Sequence, residues 1–214
     1  FDPGNDNTTL LQLEVWGGTV ELYGGKILRS GLQLNNGITL GDLLPQKAGL
    51  AYYRGDTQLT LVEAASKTCD LVVKLCSHGG KNGFDGTNCP YCNAPAVAET
   101  ALNNGEGNRQ QRRFANLQTA IDADRDGGAE FKLLTDVTGD YTINGTQDTA
   151  LDLYGHSIKG TVTVKGIKGD FITTTLSNTK NTTTASIDKV VACDGAELAG
   201  SKYPAVIGEL TLAE

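Results

Sequence analysis

Long hydrophobic runs are missing from this sequence. No stretch approaches the ~18 apolar residues that a membrane-spanning helix needs. The opening, Phe1-Asp2-Pro3-Gly4-Asn5-Asp6-Asn7, is polar and turn-forming, unlike the basic-then-apolar pattern of a signal peptide. No membrane insertion is therefore expected of this fragment, and its first residues read as a piece cut from something longer. Positive charge is scarce too: 18 Lys and Arg stand against 25 Asp and Glu, for a net charge of -7. A nucleic-acid partner, whose phosphates call for a basic surface, is not expected. The one basic cluster, Arg109, Arg112 and Arg113, reads as a solvated face. Methionine is absent and tryptophan occurs once. Also missing are the Gly-x-Ser-x-Gly, His-Glu-x-x-His and phosphate-cradling Gly-Lys-Thr signatures of common active sites.

What is present is glycine, 27 residues of it in a chain of 214, with 39% hydrophobic and 20% charged residues. That balance suits a folded protein rather than a disordered one. Residues 10–64 alternate in period two: Leu11, Leu13 and Val15; Val20 and Leu22 before Gly24-Gly25; Leu32 and Leu34 before Asn35-Asn36-Gly37; then Ile38 and Leu40. After Pro45 come Ala51-Tyr52-Tyr53 and then Leu59 and Leu61. Such alternation turns one side of each strand to a core, and the Gly and Asn-Gly punctuation supplies corners. Short strands recurring this often suit a sandwich, a barrel or a stacked solenoid. Strands are expected again at Phe131–Leu134, Tyr141–Ile143, Leu151–Leu153, Thr161–Val164, Phe171–Thr175, Ile187–Ala192 and Glu209–Leu212.

Residues 67–108 break this rhythm and hold four of the five cysteines. The stretch from Arg109 to Asp124 is expected to be a helix, because Phe114, Leu117, Ala120 and Ile121 fall at helical spacing and Asp126-Gly127-Gly128 follows as a stop. Three segments result: a first β-rich segment at 1–66, a Cys/His insert and linker at 67–108, and a capping helix with a second β segment at 109–214.

Several phrases resemble one group of proteins. Phe114-Ala115-Asn116-Leu117-Gln118-Thr119-Ala120-Ile121-Asp122, Phe131-Lys132-Leu133-Leu134-Thr135-Asp136-Val137 and Leu151-Asp152-Leu153-Tyr154-Gly155-His156-Ser157-Ile158 look like the openings of right-handed parallel β-helix segments in wall-attached surface proteins of Gram-positive bacteria. The Cys-x-His…Cys-x-x-Cys insert is similar to inserts in the same proteins. The resemblance implies a fold (all-β, a solenoid-like right-handed parallel β-helix with one short capping helix and a small zinc-binding insert) and an extracellular, cell-wall-associated location. It carries no catalytic residue across. Such proteins include adhesins, glycosidases and proteases, so host glycans or glycoproteins are the partners it suggests.

The most specific chemistry is Cys76-x-His78 followed by Cys89-Pro90-Tyr91-Cys92. Zn²⁺ favours four N/S ligands in a tetrahedron, and a Cys-x-x-Cys turn sets two thiolates on one side of it. Cys76 and His78 can close the other side. Four protein ligands leave no open position, so the metal would be structural. Two other readings stay open: disulfides, with Cys69 to Cys193 as one bridge, and a redox pair at Cys89 and Cys92.

The remaining chemistry-bearing residues have plainer readings. His156, after Gly155, reads as a hydrogen-bonding turn residue rather than a general base. Asp122, Asp124 and Asp126 read as helix termination, and Asp136, Asp140, Asp148 and Asp152 are spread over successive turns. Trp16, Tyr23, Tyr52, Tyr53 and Tyr154 are the candidates for a carbohydrate-stacking surface, although strand aromatics more often line a core. The expected role is a non-catalytic structural or adhesive module. A glycan-binding module and an ancillary domain of a secreted glycosidase or protease are the alternatives.

Overall fold

The computed structural model describes residues 9–10, 13–16, 25–28, 32–39, 49–66, 70–103, 108–123, 129–180 and 185–213. The strand expected at Val20 and Leu22, the aromatic Tyr23, and Cys69, Asp124 and Asp126 lie outside the described residues. The chain forms two compact units, Phe1–Gly79 with Asn88–Pro95, and Gly80–Thr87 with Ala96–Glu214.

The first unit carries β1 (Thr9–Leu10), β2 (Leu13–Val15), β3 (Gly25–Ile27), β4 (Leu32–Leu34), β5 (Leu50–Arg54), β6 (Thr57–Leu59), α1 (Leu61–Ser66) and β7 (Leu71–Leu75). Two short parallel ladders join β1 to β3 and β2 to β4. The rest is antiparallel: β3 and β5 flank β7, and β5 turns into β6 through Gly55, whose φ of +58° suits glycine. Leu50, Ala51, Tyr52, Leu59, Leu71 and Val73 are buried here. Leu61 opens a helix instead of extending the strand expected at Leu59 and Leu61. Thr60 explains it, since its Oγ1 accepts the Glu63 N–H at 3.1 Å while Glu63 Oε2 accepts the Thr60 N–H at 2.8 Å, a reciprocal capping box.

The second unit is a parallel β-solenoid of about four turns. Its strands are β8 (Ala98–Asn103), β9 (Arg109–Phe114), β10 (Ala129–Leu133), β11 (Val137–Thr138), β12 (Tyr141–Asn144), β13 (Thr149–Asp152), β14 (Ile158–Lys165), β15 (Thr173–Ser177), β16 (Ser186–Cys193), β17 (Glu197–Ala199) and β18 (Val206–Leu212), with α2 at Leu117–Ile121. One face runs β17-β15-β13-β10-β8-β9; the other stacks β14, β16 and β18 behind β11 and β12. Register puts like on like: Phe131 beside Leu151 beside Leu176, and Val162 beside Val190 beside Leu210. Phe131, Leu151, Val162 and Val190 are wholly inaccessible, so the inner coils close their apolar rows against their neighbours, while Leu210 on the last strand is exposed. All seven strands expected between Phe131 and Leu212 are present, with ends shifted by a few residues.

The helix expected over Arg109–Asp124 is shorter than the sequence suggests. Arg109–Phe114 is strand β9, paired antiparallel with β8 along six residues, from Ala98 opposite Phe114 to Asn103 opposite Arg109. Arg and Gln favour helix on their own, but a waiting strand edge outweighs that weak preference. The helix proper begins at Leu117, after Asn116 adopts an extended backbone and its side chain accepts the Thr119 N–H at 3.0 Å. Leu117, Ala120 and Ile121 are buried in the solenoid core. Asp122 closes the helix with its N–H on the Gln118 carbonyl at 2.8 Å.

The helix also covers an edge. Gln118 donates from Nε2 to the Thr142 carbonyl at 2.9 Å and accepts the Thr142 N–H on Oε1 at 2.8 Å. One side-chain amide thus pairs with β12 as a neighbouring strand would, where the ladder would otherwise stop. The β8–β9 hairpin does the same for β10 with main chain. Arg112 docks on the Gly80–Thr87 segment through the Asn82 and Gly83 carbonyls and Asp85, and Arg113 pairs with Glu99, so both side chains are engaged within this unit.

Candidate metal centre

The first unit brings Cys76, His78, Cys89 and Cys92 together, with their ligand atoms all within 4.8 Å of one another. Cys76 follows β7 directly, and its N–H is held by the Gly49 carbonyl at 2.7 Å. The chain then turns sharply. His78 takes a left-handed φ of +50° and Gly79 one of +80°, which swings the imidazole back toward Cys76. Gly49 lies by the imidazole edge, and its φ of +60° is what suits glycine there.

Cys89 and Cys92 sit on a tight knuckle. Asn93 N–H bonds the Cys89 carbonyl and Cys89 N–H the Ala94 carbonyl, both at 2.8 Å. Asn93 is left-handed at φ +60°, and Asn88 Nδ2 ties to its carbonyl at 3.1 Å. This is the turn that places two thiols of a Cys-x-x-Cys on one side. Its contact with α1 is a hydrogen bond from Leu61 N–H to the Pro90 carbonyl at 3.4 Å.

Distances within the cluster are short. Cys76 Sγ lies 3.7 Å from Cys89 Sγ, and Cys92 Sγ lies 3.3 Å from His78 Nδ1. A tetrahedron with metal–sulfur bonds of about 2.3 Å and a metal–nitrogen bond of about 2.0 Å has edges of roughly 3.8 and 3.5 Å. The three thiols are buried, the imidazole is half-buried, and all four described cysteines are free thiols. The group could hold a metal ion.

Crowding shifts the protons of the cluster. Hydrogen bonds from Cys76 and Cys92 pull the Cys89 thiol far below its ordinary range, while the same contact with Cys89 pushes Cys76 far above it. Hydrogen bonds to Cys89 and Cys92 raise His78 to about 9, against an opposing effect of burial. Thiols and imidazole bind a metal only after losing their protons, so loading this group with a cation would release protons.

Residues that the spacing does not reveal complete the setting. Gln58, eighteen positions before Cys76, donates from Nε2 to Cys76 Sγ at 3.0 Å, and the Tyr53 hydroxyl lies 2.8 Å from Gln58 Oε1. No pattern in the sequence joins them; only the β5–β6 hairpin does. Cys193 lies in the second unit, its Sγ 3.7 Å from the Val164 carbonyl, and its proposed partner Cys69 is outside the described residues.

The dispersed aspartates of the solenoid have structural partners. Asp136 accepts Ser157 N–H at 2.9 Å, Asp140 accepts Thr161 N–H at 2.8 Å and Asp148 accepts Thr173 N–H at 2.9 Å, each one coil further on. Asp152 is buried and takes both Tyr154 N–H and Thr179 N–H at 2.9 Å. His156 sits in the turn after Gly155, its N–H on the Leu153 carbonyl and its Nδ1 3.5 Å from Asp136. Of the aromatic candidates, Tyr52 and Tyr53 are buried, Lys132 lies over the Tyr154 ring at 3.6 Å, and Trp16 is 64% exposed. Comparison with protein-family models, with curated proteins and with solved structures finds no match to this chain.

Proposed function

We propose that this chain is a structural and adhesive module of an extracellular, cell-wall-associated bacterial surface protein, with a structural Zn²⁺ stapling its first unit. The observation that carries the reading is the composition of the Cys76/His78/Cys89/Cys92 cluster: four N/S donors, the thiols buried and the imidazole half-buried, supplied by one unit and gathered within 4.8 Å of one another. Zinc suits this donor set, since it binds thiolate and imidazole and imposes no geometry beyond four-coordination. A fourth protein ligand fills the position that a catalytic zinc keeps for water, so the ion would hold the β7 loop to the knuckle. The solenoid supplies the other half of the role, a stiff rod whose coils support only their neighbours. The cell-wall location rests on the phrases that resemble Gram-positive surface proteins.

Metal analysis of protein purified without added zinc tests the staple. One equivalent of zinc per chain is expected. Less than half an equivalent, with the thiols oxidised, would overturn it.

A second reading is favoured by Trp16. An exposed indole, with its backbone carbonyl fixed by Asn36 Nδ2 at 2.6 Å, is a platform on which a sugar ring can stack. Glycan-array binding by the wild type, lost in Trp16→Ala, would make the module a binder of host glycans or glycoproteins. A silent array would leave it a spacer.

A further inference from the structure

The metal ligands are held unequally. Cys89 and Cys92 belong to one knuckle whose own backbone fixes them, whereas Cys76 sits at the end of β7, before the turn that carries His78. Its support comes from a different hairpin. Tyr53 on β5 and Gln58 on β6 are directly opposed across the ladder. The Gln58 Oε1 accepts Ser77 N–H at 3.2 Å and is also contacted by the Ser77 and Tyr53 hydroxyls. A backbone N–H can only donate, so the oxygen end of the amide is fixed on Ser77. The NH₂ end then has one direction left, toward Cys76 Sγ at 3.0 Å. An NH₂ can only donate as well, so the sulfur must accept. His78 N–H, at 3.2 Å from the same sulfur, makes a second donor.

We propose that Gln58 is a positioning residue of the metal centre: its amide, locked by Ser77 and Tyr53, holds Cys76 as a hydrogen-bonded thiolate ligand and slows the opening of that corner of the site. This deepens the zinc-staple reading and rests on it. The physical reason is twofold. A charge-assisted N–H···S⁻ bond keeps the sulfur in place between dissociation attempts, and it draws electron density from the thiolate, which lowers its reactivity. Cys76 gains from this help because, beside the His78 N–H of its own turn, the amide brings a second donor from a separate hairpin.

The test uses the 214-residue chain loaded with Co²⁺ or Zn²⁺. For Gln58→Leu, metal transfer to a competing chromophoric chelator should be about 10- to 100-fold faster than in the wild type, the range typical of outer-shell partners. The thiolate-to-Co²⁺ charge-transfer band should move to lower energy, because an unbonded thiolate is the stronger electron donor. A purely architectural role for Gln58 would not move that band. Tyr53→Phe removes a contact to the amide oxygen but leaves the Nε2–Sγ bond, and should keep the wild-type band. Should Gln58→Leu fail to fold, Gln58→Glu replaces it: it keeps the oxygen contacts, lacks the donor, and should also lose metal faster at pH 8. A Gln58→Leu or Gln58→Glu protein that matches the wild type in both transfer rate and spectrum overturns the positioning role and leaves the zinc reading standing. A wild type that binds less than half an equivalent overturns both.

Discussion

Replacing Asp152 by alanine should separate the corner staples of the solenoid by their burial. Asp152 is 4% exposed, and its Oδ1 accepts two backbone N–H groups, from Tyr154 and Thr179, while Oδ2 accepts the Thr179 hydroxyl. Tyr154 also holds a left-handed φ of +47°, which a non-glycine residue adopts only when its surroundings insist. Hydrogen bonds to a charged acceptor contribute about 1.5–3 kcal/mol each. Thr179 is exposed, so its N–H regains water in the variant, and removing the carboxylate relieves its own desolvation. The expected cost for Asp152→Ala is therefore about 2–4 kcal/mol, below the sum of two full bonds. Asp152→Asn keeps the Oδ1 acceptor and should cost about half as much. Asp136→Ala breaks a comparable bond, from Ser157 N–H, at an exposed carboxylate, and should cost below about 1 kcal/mol. Urea denaturation of the zinc-loaded protein, followed by far-ultraviolet circular dichroism, measures all three. Equal losses for Asp152→Ala and Asp136→Ala would refute the argument that burial sets the worth of a staple.

Two further outcomes are expected. Gln118→Ala removes the amide that pairs with both backbone groups of Thr142. Hydrogen exchange at the Thr142 amide should speed up about fivefold or more, for about 1 kcal/mol or more of lost local protection, and unchanged exchange would mean that the helix alone covers this edge. Gly145→Ala would push a methyl into the Lys165 carbonyl oxygen, which already accepts the Gly145 N–H at 2.6 Å. It should destabilise the solenoid by about 1–3 kcal/mol, as overpacking does, and thermal melting within a degree of the wild type would show that the coil can spread there.

The parts of this protein that its sequence determines are those written in local periodicity and spacing. Phe131, Leu151 and Val162 could be read as strand residues because an inward row recurs every second residue, and stacking only required the coils to be alike. Cys76, His78, Cys89 and Cys92 could be read as one ligand set because zinc chemistry fixes both donor type and spacing, and the structure gathers all four.

Tertiary structure decided what depends on a partner many residues away. Arg109–Phe114 became a strand because β8 offered an unpaired edge, against the weak helical preference of its residues. Gly145 is required for room beside the next coil's backbone, where sequence suggested only corners that need positive φ. The aspartates at 136, 140, 148 and 152 turned out to be staples once the coil register set each beside an N–H of the following coil. Gln58 meets Cys76 only because a hairpin folds over the end of β7. A hydrogen bond carries no memory of chain separation, so no local pattern can record it, and the fold alone brings its two ends together.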